Sequence, residues 1–182
     1  MKALLVLDVS NSELKEAEQI RHRRDEMYGN IYREEPTDMR EVGDLGEIKF
    51  SSWLSCLGIS HRWIKNAIDA AGNADFVIAG QRIGVKTVKR KGPMRLIYTQ
   101  QITACHAHEP VAHFFFLSYE FPIRRMWLIG GCSKKFFLDH AKYYAAGEKV
   151  HDHYTVREGH EIYNIKIELL TEPAEWIQQF ME

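Results

Sequence analysis

Residues 74–89 have the sequence ADFVIAGQRIGVKTVK, which predicts a β-hairpin carrying an acid and a lysine. Phe76–Ile78 is aromatic and β-branched, a Gly-Gln pair indicates the turn, and apolar residues resume the strand pattern after it. Because side chains alternate along a strand, Lys86 leaves the second strand on the same face as Gly84. We therefore expect Asp75 and Lys86 to approach each other from neighbouring strands.

Such a carboxylate and amine could hold a divalent ion and a water, as phosphodiester hydrolysis requires. The alternative is a surface hairpin with ordinary charges. This stretch alone does not separate the two interpretations.

The composition indicates one domain over residues 1–182. With 24 Lys and Arg against 25 Asp and Glu, the formal charge is −1, so any nucleic-acid binding must be local. Three cysteines without metal-ligand spacing indicate reduced thiols, and hence a cytoplasmic protein. The apolar start is interrupted by Asp8, which favours a strand over a signal peptide, and no run reaches the length of a membrane span.

Two helices are expected before the hairpin. Ser10 and Glu13 form a capping-box pattern that predicts a helix to about Tyr28. Its basic group, Arg21–Arg24, could contact phosphates, although charge runs on helices usually form a solvated face. A second helix is predicted over Val42–Leu57, after the polar loop of residues 29–40.

The second helix begins unusually, because Gly43 and Gly46 lie in its first turns. Glycines there are understandable if something must approach the backbone closely. Asp44 and Glu47 are three residues apart and share a helical face. The alternative is an exposed acidic first turn favoured by the helix dipole.

The remaining pattern predicts alternating strands and helices. The expected elements are a short helix His61–Ala70, a strand Leu96–Ile102, a buried strand Val111–Glu120 paired with Arg125–Gly130, a helix from Ser133 to Ala146, strands Val150–Val156 and Ile162–Ile167, and a terminal helix from Pro173 to Phe180.

Two His-x-His pairs suggest a third kind of site. His106 and His108 lie just before Glu109, and His151 and His153 repeat the spacing. Such pairs bind transition metals, but neither has an obvious third ligand nearby. They support a small histidine-rich metal-binding protein as a further alternative.

Taken together, the acid-bearing helix, the aspartate strand, the lysine strand and the later buried strand resemble the restriction-endonuclease-like, or PD-(D/E)XK, nuclease superfamily. The resemblance covers about residues 43–146. It implies an α/β fold in a single domain with a central mixed β-sheet flanked by helices. Glu47 matches the helix glutamate, Asp75 the strand aspartate and Lys86 the lysine of the second half-motif.

A glutamine after the lysine strand matches Gln100 or Gln101, and we take Gln101 as the candidate. Two positions depart from the family pattern. Ala74 replaces the proline before the aspartate, and Gly84 stands where the family has its second carboxylate. Three accounts of Gly84 are open: catalysis has been lost, another acid such as Asp44 or Glu120 supplies the ligand, or the chain is an altered copy of an active protein.

The resemblance implies a metal-dependent nuclease that uses Mg²⁺ or Mn²⁺ and acts on DNA, with RNA left open. Glu47, Asp75 and the Val85 carbonyl would ligate the ion, and Lys86 would position the attacking water. Phosphate-backbone contacts are expected from Arg82, Lys89, Arg90, Lys91 and Arg95.

Many members of the superfamily act as dimers, so a homodimer is compatible with the resemblance. The competing function is a catalytically impaired nuclease-fold protein that binds nucleic acid or a protein partner. Gly84 is its best support.

Overall fold

The computed structural model describes residues 4–29, 39–65 and 73–181 of the chain. Within these ranges the fold is mixed α/β. The helices are α1 (Asn11–Tyr28), α2 (Val42–Cys56), α3 (Lys134–His140) and α4 (Pro173–Trp176). The strands are β1 (Leu5–Asp8), β2 (His61–Trp63), β3 (Phe76–Ile78), β4 (Gln81–Arg90), β5 (Thr99–Thr103), β6 (His113–Glu120), β7 (Arg125–Ser133), β8 (Lys142–Tyr144), β9 (Lys149–His151), β10 (Tyr154–Thr155) and β11 (Ile162–Lys166).

The main sheet has six strands in the order β1-β7-β6-β4-β3-β2. Neighbouring strands in this sheet are antiparallel, except for β4 and β6, which run parallel. The predicted β3–β4 hairpin is confirmed, with Phe76 opposite Ile83, but its turn is at Ala79-Gly80, one residue before the expected Gly80-Gln81. Ala79 and Gly80 both have positive φ angles at its two-residue turn, the backbone that matches the twist of a tight hairpin.

Helices α1 and α2 cover one face of this sheet. The capping box of α1 is present, because Ser10 Oγ accepts from the Glu13 backbone and Glu13 accepts from the Ser10 backbone. On α2, a Cβ added to Gly46 would lie 1.8 Å from Thr87 Oγ1 of β4, so glycine lets the helix sit against the sheet. The core between them is rich in aromatic rings, including Phe50, Trp53, Phe76, Phe115 and Trp176.

A second sheet, in the order β5-β11-β8, lies with α3 over the opposite face. Phe114 and Phe116 of β6 pack there against Phe137 of α3. Gln100 of β5 donates from Nε2 to Ser118 Oγ of β6 at 2.8 Å, which ties the two sheets together. The main sheet is therefore buried on both faces, which explains the continuous apolar run of β6.

Two predicted helices are wrong in whole or in part. The expected helix at His61–Ala70 begins instead with β2, while residues 66–72 lie outside the described ranges. Residues 61–63 form a strand because they pair with β3, and Trp63 stacks on Phe76 with ring centroids 5.7 Å apart. The helix predicted from Ser133 to Ala146 ends at His140, since the following residues form β8 against β11.

Smaller differences concern element ends. The strand predicted at Leu96–Ile102 starts only at Thr99, and the strand predicted at Val150–Val156 is the β9–β10 hairpin. The terminal helix is short and continues as a 3₁₀ turn to Phe180. Among the described residues, no helix combines the length and apolar character needed to cross a membrane.

Candidate active site

The hairpin brings Asp75 and Lys86 together. Asp75 directly precedes β3, and its Oδ2 accepts a hydrogen bond of 2.7 Å from the Val85 backbone N–H. Lys86 Nζ lies 3.9 Å from the same oxygen. The acid and the amine therefore meet at the edge of β4, where its pairing with β3 has ended.

A second carboxylate reaches Lys86 from a distant part of the chain. Lys86 Nζ donates to Glu109 Oε2 at 2.8 Å, and His106 contacts the other oxygen of Glu109. Glu109 lies in the loop between β5 and β6, and its side chain is only 2% exposed. Lys134 of α3 donates to the Glu109 backbone carbonyl at 2.6 Å, which helps to fix the loop.

Glu109 stands next to the position of the missing side chain at Gly84. A Cβ added to Gly84 would lie 3.6 Å from Glu109 Oε2 and 3.0 Å from the Phe114 ring. The space that a residue at this position would occupy is thus filled by a carboxylate and an aromatic ring. Sequence reasoning missed this role for Glu109, because the loop gives no periodic signal that relates it to β4.

Glu47 is held by α1 and β2. Both of its carboxylate oxygens accept from Arg24, at 2.9 and 2.8 Å, and Oε2 also accepts from Trp63 Nε1 at 2.8 Å. Arg24 and Arg21 each donate to the buried Asp44 at 2.7 Å. Two of the four residues in Arg21–Arg24 therefore point inward onto acids of α2 instead of forming a solvated or phosphate-binding face.

The carboxylates influence each other electrostatically. Burial raises the pKa of Asp75 to about 7, and the nearby carboxylates Glu47 and Glu109 add to this effect while Lys86 opposes it. Burial alone would also raise the pKa of Glu109, but Lys86 and His106 lower it below its ordinary value. Lys86 thus lies between two acids, Asp75 and Glu109, while Glu47 adds negative charge near Asp75.

The oxygen atoms of Asp75, Glu109 and the Val85 carbonyl are of the kind that a hard divalent ion prefers. The Val85 N–H points to Asp75, and the N–H and C=O of one strand residue lie on the same side, so the Val85 carbonyl points to that edge too. In the described parts of the chain, however, no three His, Cys, Asp or Glu side chains lie close enough to form a metal site. Asp75 and Glu47 are engaged as described above, and Glu109 is paired with Lys86.

The other candidate residues lie apart from this centre. Gln101 is on the face of β5 opposite to Gln100, and it is Gln100 that points to β6. Glu120 accepts from Trp127 Nε1 at 3.0 Å at the far end of β6. Neither Glu120 nor Asp44, which is enclosed by arginines, stands beside Gly84.

The basic residues of β4 and its following turn form no single patch. Arg82 and Lys89 are both exposed, but they lie near opposite ends of the strand and on opposite faces. Lys91 and Arg95 are exposed beyond the strand. Arg90 donates to the Thr99 carbonyl and lies over the Tyr98 ring, so it joins β4 to the β5 segment.

The two His-x-His pairs have separate surroundings. His106 contacts Glu109, whereas His108 packs edge-on against Tyr163. His151 and His153 lie exposed in the β9–β10 hairpin. Over residues 4–29, 39–65 and 73–181, neither pair belongs to a group of ligands that could hold a metal.

Comparison with known proteins identifies no relative from which a function could be inferred. No protein-family model matches the sequence, and no curated protein matches it significantly.

Proposed function

We propose that the protein is a metal-dependent nuclease of the restriction-endonuclease-like fold that hydrolyses phosphodiester bonds, with DNA as its substrate. The observation that carries the proposal is the place of Glu109, whose carboxylate is paired with Lys86 and stands beside Gly84. Of the three accounts of Gly84, this favours the one in which another acid supplies the carboxylate. That acid is Glu109, and not Asp44 or Glu120.

The residues that would hold Mg²⁺ or Mn²⁺ are Asp75, Glu109 and the Val85 carbonyl. The ion would act as a Lewis acid on the scissile phosphate. Glu47 contributes negative charge near Asp75, while Arg24 and Trp63 occupy its oxygens.

Lys86 has the central role among the chain's own groups. Its amine lies between Asp75 and Glu109, which hold it at the edge of β4. From there it would position the attacking water and stabilise the negative charge that develops on the phosphate in the transition state. Of the exposed cations on β4, Arg82 shares the strand face of Lys86 and would contact a phosphate away from the reacting bond, whereas Lys89 lies on the other face.

The test compares wild-type protein with Glu109→Gln and Glu120→Gln on supercoiled and linear DNA, with Mg²⁺ or Mn²⁺. Both variants replace a buried glutamate by its isosteric amide, but only Glu109 contacts Lys86. We expect cleavage by wild type and Glu120→Gln, and a loss of at least about a hundredfold in Glu109→Gln, the scale of removing one electrostatic group from an active site. Full activity in Glu109→Gln would exclude the role given to this residue, and no cleavage by wild type would count against the nuclease.

A second candidate is the catalytically impaired protein that binds nucleic acid or a protein partner. The engagement of both Glu47 oxygens by Arg24, and of the two Glu109 oxygens by Lys86 and His106, favours it, because a carboxylate already paired is a poorer ligand. Calorimetry with Mn²⁺ distinguishes the two. Binding that is lost in Asp75→Ala supports the nuclease, whereas no binding to the wild-type protein supports the impaired form.

A further inference from the structure

A serine and a histidine that the proposed nuclease does not use are in contact one turn of α2 beyond Glu47. Ser51 Oγ of α2 lies 2.8 Å from Nε2 of His61, the first residue of β2. The other ring nitrogen of His61, Nδ1, lies 2.9 Å from the backbone carbonyl oxygen of Ile59. Because a carbonyl oxygen can only accept, Nδ1 carries a proton and donates to it. In the neutral ring Nε2 is then an acceptor, and the Ser51 hydroxyl donates to it.

This arrangement is the one that activates a serine for nucleophilic attack. The base lies within hydrogen-bond distance of the hydroxyl, and a third group fixes the tautomer and the orientation of the base. Here the third group is a backbone carbonyl. The neighbouring Ser52 instead bonds to the Ile48 carbonyl of its own helix at 3.0 Å, a common alternative for a serine within a helix. Of these two adjacent serines, only Ser51 is therefore paired with a base.

The serine and the histidine lie where the junction of α2 and β2 opens to solvent. Ser51 and His61 are both half-buried, and Ser55, one turn further along the same face of α2, is exposed. In the part of the chain that the structure describes, β2 is the last strand of the main sheet, so alternate backbone N–H groups along it point away from β3. Backbone N–H groups are the donors that stabilise the oxyanion formed in acyl transfer. The site is thus accessible to a small ester.

We propose that Ser51 and His61 form a second reactive centre, in which Ser51 takes up the acyl group of a carboxylic ester. The Ser51 oxygen attacks the carbonyl carbon of the ester while its proton passes to His61 Nε2. The bond from that carbon to the alcohol oxygen then breaks, and the alcohol leaves with the proton. Water hydrolyses the acyl-serine by the same route. The proposal is independent of the nuclease, because it uses neither Lys86 nor the acids around it.

The competing role for this contact is to hold β2 against α2. The Trp63 side chain already does so one turn earlier, where its Nε1 donates to Glu47. His61→Gln separates the two roles, because a glutamine amide can hydrogen-bond to Ser51 but cannot take up its proton.

Acetylation by p-nitrophenyl acetate tests the proposal. The release of nitrophenolate gives the rate, and mass spectrometry of the digested protein identifies the acetylated residue. We expect wild type to be acetylated at Ser51, and a loss of at least about a hundredfold in Ser51→Ala and His61→Gln, the scale of removing a general base. Ser52→Ala is the matched control and should react like wild type. An unchanged melting temperature of each variant would show that the fold is retained.

Each outcome decides between the two roles. Acetylation of Ser51 that is lost in His61→Gln would support the reactive centre. Equal acetylation of Ser51 in wild type and His61→Gln would overturn it, and so would the absence of acetyl-Ser51 in wild type. Ser51→Ala that is less stable than wild type, with no acetylation of the wild-type serine, would show that the contact only holds β2 in place.

Discussion

Because Gly84 has no side chain, two other side chains can pack against its backbone. The Phe114 ring and the Glu109 carboxylate occupy the volume next to its Cα. A glycine in the interior of a strand weakens the strand, so its presence there is explained by this close packing. A carboxylate side chain at position 84 and the Glu109 carboxylate in its observed position would therefore compete for the same space.

We therefore expect Gly84→Glu to increase neither the stability nor the cleavage activity of the protein. Its Cβ alone would require the Phe114 ring to move, and the new carboxylate would enter beside Glu109. We expect the free energy of unfolding to fall by about 1–3 kcal/mol, as for overpacked cores, with no gain in cleavage. Urea denaturation measures the stability, and cleavage of supercoiled DNA measures the activity. A variant that is as stable as wild type and more active would mean that Gly84 impairs catalysis.

Arg24 gives a second prediction for a single residue. It binds both oxygens of Glu47 and one of Asp44, and both acids are buried. Removal of one partner from a buried ion pair typically costs about 3–5 kcal/mol, so Arg24→Ala should lower the free energy of unfolding by about that amount. Arg24→Lys should recover only part of the loss, since an ammonium group cannot replace the planar two-pronged contact.

Arg23→Ala provides the comparison for Arg24. Arg23 is the adjacent residue of α1 and is exposed, so its loss should change the free energy of unfolding by no more than about 0.5 kcal/mol. Chemical denaturation of the three variants measures these differences. Equal stability of Arg23→Ala and Arg24→Ala would show that the contacts of Arg24 are energetically unimportant.

At the scale of elements, the approach of α2 to β4 places Glu47 near Asp75. Gly46 faces Thr87 across this contact, whereas a Cβ on Gly43 would meet nothing within 4 Å. The two glycines lie in the same helix but differ in their packing environment. Only Gly46 is required by the packing of the helix on the sheet.

Alanine substitution should separate the two positions. Gly46→Ala would force α2 away from β4, and we expect a loss of about 1–3 kcal/mol in the free energy of unfolding. Gly43→Ala should be neutral or stabilising by up to about 1 kcal/mol, because alanine is the better helix former. Thermal or urea unfolding measures both, and a stabilising Gly46→Ala would contradict the close approach.

At the scale of the whole molecule, the main sheet lies between the α1–α2 layer and the layer of the second sheet and α3. Cys132 of β7 is buried in the core between the main sheet and the second layer, whereas Cys56 and Cys105 are exposed. Burial raises the pKa of the Cys132 thiol to about 12. A thiol with so high a pKa has almost no reactive thiolate near neutral pH.

Thiol labelling should therefore report opening of the whole fold. In a Cys56→Ser/Cys105→Ser variant at about pH 8, we expect Cys132 to react only when the protein unfolds, because its pKa lies well above that pH. Added urea should raise the labelling rate in parallel with the unfolded fraction. Rapid labelling in native buffer would mean that the layer over β7 opens separately.

The sequence by itself determined the features that depend on neighbouring residues. The alternation of residues 74–89 predicts the hairpin and the shared face of Gly84 and Lys86, and the spacing of Ser10 and Glu13 predicts the start of α1. These features could be predicted because strand alternation and helix capping involve residues only a few positions apart.

Only the tertiary structure decided which distant groups meet. It paired Glu109 with Lys86, turned Arg24 inward onto Glu47, and made β2 a strand where the local pattern predicts a helix. These outcomes depend on the packing of whole layers and on the burial of charge. No short stretch contains that information, and it is this long-range packing that fills the space beside Gly84 with a carboxylate.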